Sequence, residues 1–301
     1  TMSRTFIIFA PSFDENSGGV LVLHRLCDLL NRSGQRALLW PSRHALFNPW
    51  RPLHSWHRWR MQRRWYRKHG FYNTFAGFTT PIATPADLDG AIVVYPEKID
   101  GNPLRARHVV RWLLHKPGFH TGRVNYGRND RYFFFQHAFN DPALNPESDN
   151  LLRTVFVRDD VYRQTHSGER SGTCHILRKG AGRVMQHDAA NSILIDGMSH
   201  QEAAAVFNQI KTYISYDPYT IYSQFAALCG CDSIVLPEEG MTPESWYPDP
   251  RDRYGVALGW SGLEEARRTA ALLLPHLKQQ EQEANASVQR FVDKCEGYFG
   301  R

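Results

Sequence analysis

The chain opens with a short apolar run, "RTFIIFAPS", closed by proline and serine. That is the pattern of a buried parallel strand, and the loop "FDENSGG" follows it. In "GGVLVLHRLCDLLNRSG", Val20, Leu23, Leu26, Cys27 and Leu30 recur at three- and four-residue intervals, which predicts a helix with Gly34 as its left-handed cap. "QRALLWPS" predicts a second strand and "GAIVVYPE" (90–97) a third. "NPLRARHVVRWLLHKPG" (102–118) is expected to be a helix stopped by Pro-Gly, and "RYFFFQHAF" (131–139) a further strand. Alternating strands and helices predict a parallel sheet with helices on its faces.

The polar, proline-containing stretch "NDPALNPESDN" (140–150) has no periodicity and marks a domain junction. Beyond it the alternation resumes. "TCHILRKG", "NSILIDG", "TYISYD", "DSIVLPEEG" and "YGVALGW" predict strands; "SHQEAAAVFNQIK" and "PYTIYSQFAALCG" predict helices. Ser199 and Glu202 have the spacing of a capping box. From residue 262 onward the pattern is helical, with a break expected at Pro275. The expected fold class is therefore α/β: two doubly wound, Rossmann-like domains (1–150 and 151–280), a cleft between them, and C-terminal helices of which 281–301 packs back on the first domain.

Length and composition agree with two domains, since 301 residues at 42% hydrophobic content can bury a substantial core. No uninterrupted apolar run approaches the roughly 20 residues that span a bilayer, and the first residues lack a secretory pattern, so a cytoplasmic location is expected. Cys27, Cys174, Cys229, Cys231 and Cys295 are odd in number and scattered, which argues for reduced structural thiols. The formal charge of +6 calls for an anionic partner, and its source is local. Residues 51–69, "RPLHSWHRWRMQRRWYRKH", hold seven Lys/Arg, three His and four Trp/Tyr with no acidic residue. This segment fits three descriptions: a stack for single-stranded nucleic-acid bases, an anionic-membrane interface, or a solvated helix packing Trp56, Trp59 and Trp65 inward. Its histidines lie among arginines that would repel a cation, and Asp87-Leu88-Asp89 precedes its strand as a solvated turn, so no metal is expected.

Ligands of open parallel sheets bind beyond the carboxyl ends of the strands. "TYISYDPYTIYSQF" supplies such an end: Asp217 just past the strand, Pro218 at the predicted helix start, and the amides of Tyr219, Thr220 and Ile221 available to a diphosphate. Asp217 is itself an acceptor suited to sugar hydroxyls. Strand ends of the first half offer acid–base candidates in Asp14, Glu15, Glu97 and His137, while Gly18 and Gly19 would let a ligand approach the backbone.

The segment 215–240 resembles the donor-site motif of GT-B glycosyltransferases, in which an acidic residue, a helix start and a small-residue helix precede a strand. Matching "AALCG" to the end of that motif places Asp217 on the family's sugar-contacting acidic position and Phe225 on its second one. "ILRKGAGR" is similar to the family segment whose Arg and Lys bind donor phosphates, which implies that role for Arg178 and Lys179, with Arg183 in reserve. "SGGVLVLHRLCDLLNRSGQRA" resembles the N-terminal glycine loop and helix of the class. The resemblance implies a metal-independent transferase of the bacterial cell-surface glycan or lipopolysaccharide type, without a cofactor. A nucleotide-diphosphate sugar would be held by the second domain, and a glycan or lipid-linked acceptor by the first. Residues 51–69 would then meet the inner face of the plasma membrane. A noncatalytic nucleic-acid-binding protein and another nucleotide-sugar enzyme, such as an epimerase, are the alternatives.

Overall fold

The computed structural model describes residues 4–300. Its elements in chain order are β1 (Phe6–Ala10), α1 (Gly18–Arg32), β2 (Ala37–Pro41), α2 (Pro52–His69), β3 (Ile92–Pro96), β4 (His108–Leu113), β5 (Arg131–Phe134), β6 (Ser171–Ile176), β7 (Ser192–Leu194), α3 (His200–Gln209), β8 (Ile210–Ser215), α4 (Tyr222–Leu228), β9 (Asp232–Val235), α5 (Pro243–Trp246), β10 (Val256–Leu258) and α6 (Leu263–Phe299). They divide into two α/β units. The first holds residues up to Phe156 together with those from Glu281 onward; the second is Val157–Gln280.

Each unit contains one parallel five-stranded sheet, ordered β2-β1-β3-β4-β5 in the first and β10-β9-β8-β6-β7 in the second. Numbered within its own unit, each sheet runs 2-1-3-4-5, the order of flavodoxin-like sheets. The winding therefore reverses between β1 and β3 in one unit and between β6 and β8 in the other.

In the first unit the strands are buried on both faces. Phe6, Ile8, Leu39, Val94 and Trp112 pack with Leu23, Leu26 and Leu30 of α1 and with Val288, Phe291 and Cys295 of α6. Ile7, Phe9, Trp40, Val93, Tyr95 and Val109 occupy the opposite face, under connecting segments that include Leu104. Gly34 follows α1 with φ +85°, the left-handed value its capping position requires.

The predicted helix at 102–118 is not formed; its centre is β4. Val109, Val110, Trp112 and Leu113 fit a helical period only because a strand buried on both sides carries apolar residues on both its faces. Arg111 is fully buried within it. Its Nε donates to Asp130 Oδ2 at 2.7 Å, its Nη1 donates to the Ile99 carbonyl at 2.6 Å and its Nη2 to the Gly101 carbonyl, while its guanidinium lies between the Tyr95 and Tyr126 rings. This full set of partners offsets the cost of burying the charge.

In the second unit Cys174, Ile176, Phe207, Tyr213 and Phe225 form one core face, with Tyr162 stacked on Phe225 at 4.0 Å. Ile214, Tyr216, Ile234 and Ala257 form the other with Ala266. The Ser199–Glu202 capping box is present. Two further expectations are corrected. β5 ends at Phe134, so His137 lies in a 3-10 turn, His137–Phe139. α6 continues through Pro275: proline removes one hydrogen bond at a cost of about 3 kcal/mol. Ala266, Thr269 and Leu273 before it and Ala284, Ser287 and Val288 after it are buried, which holds both flanks helical.

Candidate functional site

The carboxyl ends of β6 and β8 flank the reversal point of the second sheet. After β6 comes the turn Arg178–Gly180. Arg178 has φ +43°, a left-handed conformation unusual for a non-glycine residue. Asp196 holds it there: its Oδ2 and Oδ1 accept the successive amides of Leu177 and Arg178, both at 2.8 Å. Gly180 then presses on the loop after β8, where a Cβ would stand 2.1 Å from the Tyr216 carbonyl oxygen, so no other residue fits.

That second loop carries Asp217, which is 4% exposed. Its Oδ1 accepts the Tyr219 amide at 3.1 Å, an Asx turn that reverses the chain. The expected helix start at Pro218 is displaced, because α4 begins only at Tyr222. The Tyr222 amide is taken by Thr220 Oγ1 at 3.3 Å, whereas among the described residues no acceptor takes the amides of Thr220 and Ile221. Tyr219, Thr220 and Ile221 line a cavity of about 170 Å³ whose far side is Trp246 and Tyr247. Trp246 Nε1 donates to the Pro218 carbonyl at 2.7 Å, fixing that wall to the loop.

The three predicted cations separate. Arg178 is exposed, with its guanidinium 5.3 Å from the centre of the Tyr222 ring, and Lys179 is exposed with no acidic partner among the described residues. Arg183 instead donates to the carbonyls of Tyr216 (2.8 Å), Leu236 (2.9 Å) and Pro237 (2.6 Å), bracing the ends of β8 and β9. None of the three lines the 170 Å³ cavity, and neither does Asp217.

Sequence reasoning missed Asp196, His175 and His187. The imidazoles of His175 and His187 stack at 3.7 Å, and His187 Nδ1 lies 2.8 Å from the Tyr216 hydroxyl. Burial, with His187 adding to it, lowers the pKa of His175. Only the Asp196-Gly197 turn signal in "NSILIDG" pointed to any of them.

In the first unit, Asp14, Glu15, Gly18 and Gly19 follow β1 and Glu97 follows β3, on either side of the other reversal point. Gly18 and Gly19 form the first turn of α1, which has no side-chain cap and no acidic residue there. A Cβ on either would meet no protein atom within 4 Å. Asp14 is exposed and accepts the Asn16 amide at 2.9 Å. Glu97 is 6% exposed; its Oε2 accepts the Leu114 amide at 3.1 Å, and burial raises its pKa. His137 follows the edge strand β5, two places from β3 in the sheet, in the turn His137–Phe139.

Helix α2 carries the basic aromatic segment. Ser55 is its one buried residue, while Trp56 and Trp59 are 53% and 48% exposed, so the inward packing expected for these two does not occur. Arg60 and Arg63 lie over the Trp56 and Trp59 rings at 4.7 and 4.8 Å; Trp65 is half-buried and stacked on His69. Trp50 and Leu53, at the start of the helix, are 89% and 83% exposed.

No family model matches the chain, and no curated protein matches it. Among solved structures, the chain is similar to sucrose-phosphate synthase from Thermosynechococcus elongatus. The two share 8% identity at a TM-score of 0.32, over 95% of this chain and 94% of that one. The loop geometry described above is independent of that likeness. Among the described residues no group of His, Cys, Asp or Glu could hold a metal ion, and no helix is long and apolar enough to cross a membrane.

Proposed function

We propose that this chain is a GT-B-like glycosyltransferase that moves a sugar from a nucleotide diphosphate to a glycan or glycolipid acceptor. The observation that carries the reading is the pair of loops at the second unit's reversal point: Thr220 and Ile221, whose amides have no acceptor among the described residues, line a cavity, and a strained, Asp196-clamped turn presents Arg178 and Lys179. Free amides and cations fixed in advance are the means by which a protein stabilises a leaving diphosphate without reorganising during reaction. The left-handed backbone at Arg178, held by Asp196, fits pre-organisation of a binding group on an exposed side chain.

In this reading the residues take the following roles. Thr220, Ile221, Arg178 and Lys179 meet the diphosphate, and Tyr219 flanks the donor. Asp217 and Arg183 shape and brace the loop. The open N-terminus of α1 at Gly18 and Gly19 receives the acceptor, and Glu97, with its raised pKa, is the base that removes the acceptor proton. No step in this scheme calls on a metal or a cofactor. The exposed aromatics of α2 and its arginines, which have no carboxylate partner among the described residues, meet an anionic membrane at the cytoplasmic face, which suits a lipid-linked acceptor.

Calorimetric titration with UDP, GDP and ADP tests the donor site. One of the three is expected to bind, and Lys179→Ala to weaken it about tenfold, the size of a charge-assisted contact. Absence of binding by all three, or an unchanged affinity in Lys179→Ala, contradicts the reading. Release of free sugar product without any acceptor would favour an epimerase-type enzyme instead.

A further inference from the structure

A second and larger cavity, about 510 Å³, opens beside the edge strand β5 of the first unit. It is within the size range of small-ligand sites, which are usually apolar, but its walls are of a different kind. Tyr126, Tyr132 and Tyr298 contribute aromatic faces, and Arg128, Arg131 and Glu147 contribute charge. The Tyr126 and Tyr132 rings are 6.0 Å apart and tilted by 51°, and the Arg131 guanidinium lies 4.7 Å over the Tyr298 ring.

The acidic groups at this cavity are already committed. Asp130 accepts from Arg111 and from the Gly127 amide, and Glu147 accepts the Tyr298 hydroxyl at 2.5 Å and pairs with Lys294 at 3.4 Å. The basic groups are not committed in this way. Among the described residues neither Arg128 nor Arg131 has a carboxylate partner. The Tyr132 hydroxyl makes no hydrogen bond among them either, and burial raises its pKa, so it remains a donor. Aromatic faces suit the C–H face of a pyranose ring, a tyrosine hydroxyl suits its hydroxyls, and an arginine fork matches a carboxylate in plane. The nearby Glu147 and Asp130 disfavour the double charge that phosphate concentrates on one group more than carboxylates spaced one to a sugar ring along a saccharide.

We propose that this cavity binds an acidic oligosaccharide, its uronate carboxylate held by Arg128 and Arg131 and its rings laid against Tyr126 and Tyr132. The proposal goes beyond the transferase reading and does not depend on it, because none of these residues has a part in the donor loops.

The test is calorimetric titration of the whole chain, without nucleotide, using trigalacturonate, uncharged maltotriose and inorganic phosphate. Trigalacturonate is expected to bind at least about tenfold more tightly than the other two, and Arg128→Gln and Arg131→Gln each to weaken it by about the same factor. Arg128 is exposed and unpartnered, so its replacement leaves the melting temperature unchanged and separates binding from folding. Arg63→Gln on α2, equally basic but outside the cavity, is expected to have no effect. The proposal is overturned if trigalacturonate does not bind, if phosphate binds as tightly, or if Arg63→Gln weakens binding while the two cavity variants do not.

Discussion

Glu97 carries the clearest single-residue consequence. Burial raises its folded pKa above the unfolded value of about 4.3, so the folded chain favours the protonated carboxyl. Stability from that neutral form is fully present below the unfolded pKa and is lost as pH rises through the raised one. Glu97→Gln keeps an oxygen for the Leu114 amide and removes the buried charge. It is therefore expected to raise the melting temperature at about pH 8 and not at about pH 3.5. Turnover in the same variant should fall by roughly 10²- to 10⁴-fold, the contribution of a general base. Melting curves at the two pH values, with initial rates, check both; a lower melting temperature at high pH or full activity would refute the assignment. Glu97 was legible as a candidate because it ends an apolar run at a strand end. Asp196 was not, because its hydrogen bonds reach residues 18 and 19 positions away and leave no local pattern.

At the scale of elements, legibility followed burial. β1 and β3 were readable because each is a short apolar run closed by proline, and α1 because its apolar residues recur every three or four positions. β4 was misread because a parallel strand buried on both faces has no alternation, and Arg111, which reads as a solvent-facing helical residue, is paired inside. α2 shows the opposite case: its composition announced a surface function, yet only the structure shows Trp56 and Trp59 turned outward. Each basic side chain near an anionic lipid surface contributes about 1 kcal/mol. Replacing Arg60, Arg63 and Arg64 together by glutamine should then cost about 3 kcal/mol, on the order of a hundredfold in binding to phosphatidylserine vesicles. Co-sedimentation at rising salt measures this. Failure of the parent chain to bind vesicles, with tight binding of a single-stranded oligonucleotide instead, would transfer α2 to nucleic acid.

Across the whole molecule, two sheets with the same 2-1-3-4-5 order place every predicted site residue except His137 on the segments that follow the strands flanking a reversal of winding. Alternation in the sequence was enough to predict two parallel sheets, but strand order and the reversal points are properties of tertiary pairing that no segment encodes alone. The central claim is that a diphosphate is held in the second unit by the Thr220 and Ile221 amides together with Arg178 and Lys179. A crystal structure with the nucleoside diphosphate selected by titration tests it most directly. The account predicts phosphate oxygens within hydrogen-bonding distance of both amides and of at least one of the two cations; a nucleotide bound elsewhere, with those amides facing solvent, would contradict it.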